Sequence, residues 1–185
     1  MNCEYTDINN VFSISRRVIK NETKFSGKTY GGVNFDPTVI DVNGITQHYQ
    51  RGLVWTLEQK QQLINSIYLQ VEIGKIVFRK KSWSDIEKQM ELTGHGYDYD
   101  CCDGKQRIHA IIEFVTNKFP DFHGNYFCDL SEKAQNKLLR YDYLSYGELD
   151  EGTSDKQVIR TFLNLNFAGT PIAEEHTNFV QSIKI

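Results

Sequence analysis

A strand pattern that runs directly into a long amphipathic helix pattern constrains the fold of this chain more than any other feature. Residues 97–102 predict a strand. After a short polar segment, apolar residues recur at helical spacing, at Ile108, Ile111, Ile112, Val115 and Phe119. They predict a helix with one buried face, which Pro120 ends. This order of elements favours an α/β (α+β) fold.

A second helix is predicted from the chemistry of its first turn. Thr56 and Gln59 form a capping box, in which each side chain satisfies a backbone N–H group near the start of the helix. Apolar residues then follow at helical spacing, at Leu63, Ile64, Ile67 and Val71. We therefore predict a helix over residues 57–70 and, after it, a strand over residues 73–78.

Weaker patterns predict the remaining short elements. We expect strands at 39–42, at 126–128 and within 141–149, and helices at 83–92, 131–140, 155–166 and from 170 onwards. The dipeptide Asn43-Gly44 predicts a turn. Residues 14–19 fit either a strand or a short helix.

The length and net charge of the chain exclude some classes of protein. The chain has 185 residues and a net charge of −3, which argues against a dedicated non-specific DNA binder, because such proteins need a surplus of cations. Residues 1–35 are polar and are predicted to form an N-terminal extension, with a single domain over 36–185. No apolar run reaches the roughly 18 residues of a membrane span, and the start lacks the pattern of a secretion signal. We therefore predict a cytoplasmic protein with no membrane partner.

The cysteines are predicted to be structural. The four cysteines are Cys3, Cys101, Cys102 and Cys128, and they form no Cys-x-x-Cys pair or zinc-binding spacing with histidine. Adjacent residues of a strand point to opposite faces of the sheet. We therefore expect Cys101 and Cys102 to be reduced, buried and small apolar residues of the core.

The segment Asp103-Gly104-Lys105-Gln106-Arg107 joins the predicted strand to the strongest helix. A helix N-terminus presents unpaired N–H groups and about half a positive charge. Gly104 lets a ligand approach the backbone, because it has no Cβ. Lys105 and Arg107 add two cations to this positive end, where they repel each other. A phosphate bound between them would remove the conflict.

An ordinary helix cap explains the same segment without a ligand. Asp103 and Gln106 form a second possible capping box. Asp103 would then offset the charges of Lys105 and Arg107, whose long side chains would extend into water. Spacing alone does not decide between the two interpretations.

Three motifs in a fixed order point to a family. They are Tyr49-Gln50-Arg51 with Trp55, then Asp103 to Arg107, and then Phe162, Asn166, Gly169 and Pro171. In these motifs the chain resembles the N-terminal domain of GmrSD-type modification-dependent restriction enzymes, over roughly residues 44–176. The order of Arg51, Ser66-Ile67, the predicted strand at 73–78 and the Gly104 turn also resembles the nucleotide site of ParB partition proteins.

The resemblance implies a ParB/sulfiredoxin-like domain with a small mixed sheet, flanking helices and a helical C-terminal part. It implies a bound nucleoside triphosphate. Phosphoryl transfer from that nucleotide would use Mg²⁺, with Asp103 as the metal ligand or the base unless Asp103 only caps the helix. The residues it assigns to the nucleotide are Gln50, Arg51, Gly104, Lys105, Gln106, Arg107 and Asn166, and those it assigns to catalysis are Asp103, Lys105 and Arg107. Asn166 either lines the pocket or caps a helix end. Tyr49 and Trp55 are expected to pack the loop rather than stack on a base.

The function implied is nucleoside triphosphate binding by an Mg²⁺-dependent NTPase or phosphotransferase linked to DNA modification or restriction. The host would be a bacterial or phage-infected cell. The alternative is a non-catalytic, nucleotide-gated module of ParB type that binds DNA or another protein. Expected partners are the nucleotide, DNA, and a separate nuclease or modification-system protein.

Two departures from the family pattern affect this prediction. Lys105 stands where the family has glutamine and where sulfiredoxin has its reactive cysteine, which argues against sulfiredoxin activity. A lysine can still bind a β- or γ-phosphate as a point charge. The five histidines form no His-Asn-His nuclease motif, so the sequence gives no support for DNA cleavage by this chain itself.

Overall fold

The predicted mixture of helices and short strands is confirmed by a computed structural model, which describes residues 23–25, 28–139, 145–168 and 173–185. The helices among these residues are α1 (Leu57–Tyr68), α2 (Trp83–Thr93), α3 (Lys105–Val115), α4 (Glu132–Leu139), α5 (Asp155–Ala168) and α6 (Glu174–Ser182). The strands are β1 (Thr23–Phe25), β2 (Lys28–Tyr30), β3 (Val33–Asn34), β4 (Thr38–Ile40), β5 (Thr46–His48), β6 (Ile76–Lys80), β7 (His95–Gly96), β8 (Tyr99–Asp103) and β9 (Tyr146–Leu149). The finer ParB/sulfiredoxin-like assignment stays a prediction.

The chain divides into two compact units. The first unit contains Leu53–Lys75 and Gly104–Ser145, and so includes α1, α3 and α4. The second unit contains Thr23–Gly52, Ile76–Asp103 and Tyr146–Ile185, and so includes all nine described strands with α2, α5 and α6. Within the described part of the chain, no helix is long and apolar enough to span a membrane.

A small mixed sheet forms the centre of the second unit. Its strand order is β3-β8-β6-β9, with β8 and β6 antiparallel and both outer strands parallel to their neighbours. Helix α5 contributes Val158, Ile159 and Phe162 to a core that also contains Cys102 of β8. Cys101 and Cys102 are both fully buried, which confirms their predicted burial in the core. The other sheets pair β1-β2-β7 and β4-β5.

A buried charge network joins the elements of this unit. The Arg79 guanidinium of β6 lies 2.7 Å from Asp100 of β8 and 2.6 Å from Asp155 in the first turn of α5. The second carboxylate oxygen of Asp155 accepts a hydrogen bond from the Ile40 amide of β4. Burial alone lowers the pKa of Arg79, but the hydrogen bonds from its guanidinium to Asp100 and Asp155 outweigh burial and raise it. The guanidinium is therefore a charged link between β4, β6, β8 and α5.

The first unit is built on the packing of α1 against α3. The predicted capping box of Thr56 and Gln59 is confirmed, and it opens α1. Lys60 of α1 pairs with Glu113 of α3 at 2.6 Å. Beneath them, the rings of Phe114, Phe119 and Phe127 pack together.

Several predicted boundaries are wrong for local reasons. Helix α3 ends at Val115, because Asn117 takes a positive φ of 58°, and Phe119 packs in the core from beyond the helix end. Residues 126–128 are not a strand, because Phe127–Asp129 form a 3-10 turn. Strand β6 begins at Ile76, two residues after Gly74 takes a φ of 84°. The predicted elements at 14–19 and at Thr170-Pro171 lie outside the described residues.

Substitution of Arg79 tests the buried charge network. Arg79→Met keeps the length of the side chain but leaves Asp100, which is 2% exposed, with only the more distant Lys81 ammonium at 4.0 Å. We expect the free energy of unfolding to fall by about 3–5 kcal/mol in urea titrations. Lys80→Met is the matched control, because the Lys80 side chain is 51% exposed and its pairing with Glu151 spans 3.9 Å. Equal losses in the two variants would show that the network does not stabilise this unit.

Alkylation tests the burial of the cysteine pair. Burial raises the pKa of the Cys102 thiol to about 12, so at pH 8 the thiol is both protonated and enclosed. We expect iodoacetamide to modify the half-exposed Cys128 in the native protein and to spare Cys101 and Cys102. Peptide mass spectrometry with and without denaturant measures this order. Modification of Cys102 at the rate of Cys128 in the native protein would contradict the structure.

Candidate functional site

The entry to α3 is formed by a glycine in the left-handed region. Strand β8 ends at Asp103, and Gly104 then has φ 101° and ψ 3°, a conformation that side chains with a Cβ rarely adopt. Gly104 is the N-cap and, because it has no side chain, it offers no side-chain cap to the helix. The predicted capping box of Asp103 and Gln106 is therefore wrong, because Asp103 still belongs to the strand.

Helix α3 differs in charge from the other described helices. Each of those has at least one acidic residue in its first turn, whereas α3 has none and begins with Lys105. Acidic residues and side-chain caps normally satisfy the positive end of a helix. The α3 N-terminus is thus the described helix start whose chemistry suits an anion best.

Gln106 fixes the segment that leads into α1. Its Oε1 atom accepts hydrogen bonds from the backbone amides of Val54 and Trp55, at 3.1 and 3.3 Å. Both donors lie just before the α1 cap at Thr56. The glutamine of the Asp103–Arg107 motif therefore has a structural contact within the first unit.

Arg107 holds the connection that follows α1. Its Nη1 donates to the Ile73 carbonyl at 2.9 Å, and its Nη2 donates to the Lys75 carbonyl at 3.1 Å. The guanidinium therefore spans Gly74, where an added Cβ would lie 2.7 Å from Nη1. The predicted contact of Arg107 with phosphate stays a prediction, and its observed contacts are with backbone carbonyls.

Charged side chains continue along α3 beyond Lys105. His109 and Glu113 follow at intervals of four residues, and Glu113 pairs with Lys60 of α1. Burial, and then the charge of Lys105, lower the pKa of His109, so the neutral imidazole is favoured at pH 7. Sequence reasoning missed Lys60 and Glu113 as partners, although their positions on two adjacent helical patterns are compatible with a contact.

In the second unit, Tyr49 is a core residue. Its side chain is fully buried, and its ring packs edge-on against Phe162 with 5.3 Å between ring centroids. The predicted packing role of Tyr49 is confirmed. Within the described residues its hydroxyl has no partner at hydrogen-bond geometry. Burial raises the pKa of Tyr49, and the neighbouring Cys102 and Asp100 act in the same direction.

Gln50 and Arg51 have different environments. Gln50 is 8% exposed, and its Nε2 donates to the Cys101 carbonyl of β8. Arg51 is half-exposed, and its guanidinium has no hydrogen bond or ion pair with another described residue. One residue earlier, the Tyr49 carbonyl accepts a hydrogen bond from Nε2 of His176 at 2.9 Å. Sequence reasoning missed His176, because this contact joins distant segments and follows no spacing pattern.

Asn166 is engaged within its own helix. Its Nδ2 donates to the Phe162 carbonyl one turn earlier in α5, at 2.6 Å. Of the third motif, Phe162 packs on Tyr49, whereas Gly169 and Pro171 lie outside the described residues. The assignment of Asn166 to the nucleotide stays a prediction.

Asp103 remains the candidate Mg²⁺ ligand. It is a half-exposed carboxylate at the end of β8. Among the residues that the structure describes, no group of three or more His, Cys, Asp or Glu side chains converges on one point. Mg²⁺ is commonly bound by one or two carboxylates together with substrate phosphates. A single carboxylate such as Asp103 is compatible with that donor set.

Comparison with known proteins identifies the family. A model of the family described as "GmrSD restriction endonuclease, N-terminal domain" matches residues 39–178, which include all three sequence motifs. No curated protein and no solved structure matches the chain. The family description associates the chain with DNA restriction. Because the match covers most of its length, the chain belongs to the family of GmrSD restriction endonuclease N-terminal domains.

Proposed function

We propose that this chain binds a nucleoside triphosphate with Mg²⁺ and hydrolyses or transfers its terminal phosphoryl group within a restriction system directed at modified DNA. Family membership supports the link to restriction. The observation that carries the nucleotide proposal is the α3 N-terminus, which has a left-handed glycine as its N-cap, no acidic residue in its first turn and a lysine at its first position. Proposed partners are DNA and a separate nuclease or modification-system protein.

The phosphate contact is assigned to Gly104 and Lys105. A helix N-terminus directs N–H groups and a partial positive charge at a bound anion. Lys105 adds a compact ammonium charge, which can contact a β- or γ-phosphate as a point charge. Arg51 enters the proposal from the Tyr-Gln-Arg motif, as a second cation for phosphate.

Gln106 and Arg107 are assigned chiefly to shaping the region around the α3 N-terminus. Gln106 holds the amides of Val54 and Trp55, and Arg107 holds the carbonyls of Ile73 and Lys75. These contacts immobilise the two chain segments that flank α1. Preorganised donors stabilise developing charge without having to reorient during the reaction, so rigid surroundings favour phosphoryl transfer.

The proposed reaction is an in-line displacement at the γ-phosphorus. A bond forms from the oxygen of water or an acceptor hydroxyl to phosphorus, and the bond to the β,γ-bridging oxygen breaks, leaving the nucleoside diphosphate. Lys105 and Arg51 stabilise the charge on the phosphoryl oxygens. Asp103 either takes the proton of the attacking hydroxyl or binds Mg²⁺. When bound, Mg²⁺ would neutralise part of the negative charge of the phosphates.

A nucleotide-gated binding module is the second candidate function. The segment held by Gln106 carries exposed apolar side chains, with Leu53 50%, Val54 53% and Leu57 52% exposed. A ligand at the start of α3 would act on Gln106 directly and on this apolar segment through it. Nucleotide binding would then change a surface for DNA or another protein without any product being formed.

Substitution of Lys105 tests the phosphate contact. We expect MgATP, MgGTP, MgCTP or MgUTP to raise the melting temperature of the wild-type chain, because a ligand stabilises the fold that binds it. Lys105→Gln introduces the residue that the family resemblance places there. It should weaken binding about tenfold, or roughly 1.4 kcal/mol.

Lys118→Ala is the matched control, because Lys118 is an exposed lysine of the same unit. Phosphate release in the same samples, with and without DNA, separates the enzyme from the gated module. A wild-type chain that melts at one temperature with every nucleotide would refute both candidates. Nucleotide binding without release of phosphate would exclude the enzymatic function and leave the nucleotide-gated module.

Arg107→Ala should reduce the stability of the protein even without nucleotide, unlike Lys105→Gln, whose predicted effect is on nucleotide binding. It removes two hydrogen bonds to backbone carbonyls, each worth about 1.5–3 kcal/mol for a charged donor, so the free protein should lose stability as well as ligand binding. Urea titration without nucleotide measures the first loss. Unchanged stability would mean that the contacts with Ile73 and Lys75 do not hold the connection.

A further inference from the structure

The Tyr49–Arg51 segment is anchored at successive residues within the second unit. The Tyr49 ring packs on Phe162, and the Tyr49 carbonyl accepts a hydrogen bond from His176. At the next residue, the Gln50 side chain donates to the Cys101 carbonyl. These contacts fix the backbone up to the residue that precedes Arg51.

The His176 ring is itself held by aromatic packing. Its centroid lies 6.3 Å from that of Phe162 and 6.0 Å from that of Phe179. A carbonyl oxygen can only accept, so the Nε2 of His176 must carry the hydrogen in its contact with Tyr49. Helix α6 thus supplies an oriented donor to a loop that lies far away in the sequence.

Arg51 follows these anchors with a half-exposed side chain. No hydrogen bond or ion pair joins its guanidinium to another described residue, so the anchored backbone before it determines where the side chain starts. Restricting a backbone lowers the entropy that is lost when the side chain binds an anion. The effect of His176 on a ligand would therefore pass through Arg51.

We infer that His176 is a positioning residue, whose hydrogen bond to the Tyr49 carbonyl holds Arg51 ready to bind phosphate. The inference rests on the proposed nucleotide function for its ligand, and on the geometry of the second unit for its mechanism. His176 makes no contact with the ligand in this scheme. It belongs to none of the three sequence motifs.

Two substitutions separate the effect of the His176 hydrogen-bond donor from the effect of its aromatic ring. His176→Phe keeps an aromatic ring beside Phe162 and Phe179 but removes the donor, whereas His176→Gln retains an amide donor near the position of Nε2. With the best-bound of MgATP, MgGTP, MgCTP and MgUTP, we expect His176→Phe to raise Kd about tenfold and His176→Gln to restore most of the affinity. His176→Leu is a second variant without a donor if His176→Phe folds poorly.

A double-mutant cycle with Arg51→Ala tests the route of the effect. If His176 acts through Arg51, His176→Phe should change the Kd of the Arg51→Ala protein less than twofold. A tenfold loss in both backgrounds would overturn the inference, because His176 would then act elsewhere. An unchanged Kd in the wild-type background would overturn it as well.

Limited trypsin digestion tests the anchor without any nucleotide. Trypsin cleaves after arginine, so the rate of cleavage between Arg51 and Gly52 reports local opening of the segment. We expect this rate to rise several-fold in His176→Phe and to stay near the wild-type rate in His176→Gln, with similar melting temperatures. If the wild-type chain binds no nucleotide, the proposed function fails, and the digestion still decides whether His176 anchors the segment. An unchanged cleavage rate in His176→Phe would overturn the anchor.

Discussion

The buried ion pair between Arg79 and Asp100 is the interaction on which the second unit depends. Taking a guanidinium and a carboxylate out of water is costly unless both are fully paired, and removal of one partner leaves an uncompensated charge. Arg79 meets this requirement with two carboxylates, one on β8 and one at the start of α5. Because the second oxygen of Asp155 also binds the Ile40 amide, the sheet, the β4 strand and the helix are fixed together. The core around Tyr49 and Phe162 is built from these same elements.

The polar residues of the motifs make contacts that hold the backbone in place. Gln50 binds a carbonyl of β8, Gln106 binds two amides before α1, and Arg107 binds two carbonyls after α1. Such contacts give backbone N–H and C=O groups outside regular ladders a hydrogen-bond partner. The proposed ligand contacts therefore fall mainly to Lys105 and Arg51. A lysine in place of the glutamine of related chains concentrates charge at the α3 start, and its effect on phosphate binding is the most direct test of function.

Sequence reasoning predicted elements whose signals are local. The α1 cap needs only Thr56 and Gln59, and the apolar spacing of α3 follows from one helical face. Both features could therefore be predicted from the sequence. The end of α3 and the start of β6 were misplaced, because positive φ at Asn117 and Gly74 has no strong pattern. At the candidate site, the left-handed Gly104 was compatible with the predicted turn, but the roles of Gln106, Arg107 and His176 depend on distant backbone atoms. Contacts of that kind are fixed by tertiary packing, and they produce no periodic pattern in the sequence.

The close approach of Arg107 to Gly74 has a consequence for sequence variation. The guanidinium occupies the volume that any side chain at position 74 would need, since an added Cβ would lie 2.7 Å from Nη1. The two positions are therefore not independent: a larger residue at 74 would require a shorter one at 107, or a different path of the chain after α1. Homologous chains should vary at these two sites together, and a chain that retains the arginine should retain the glycine.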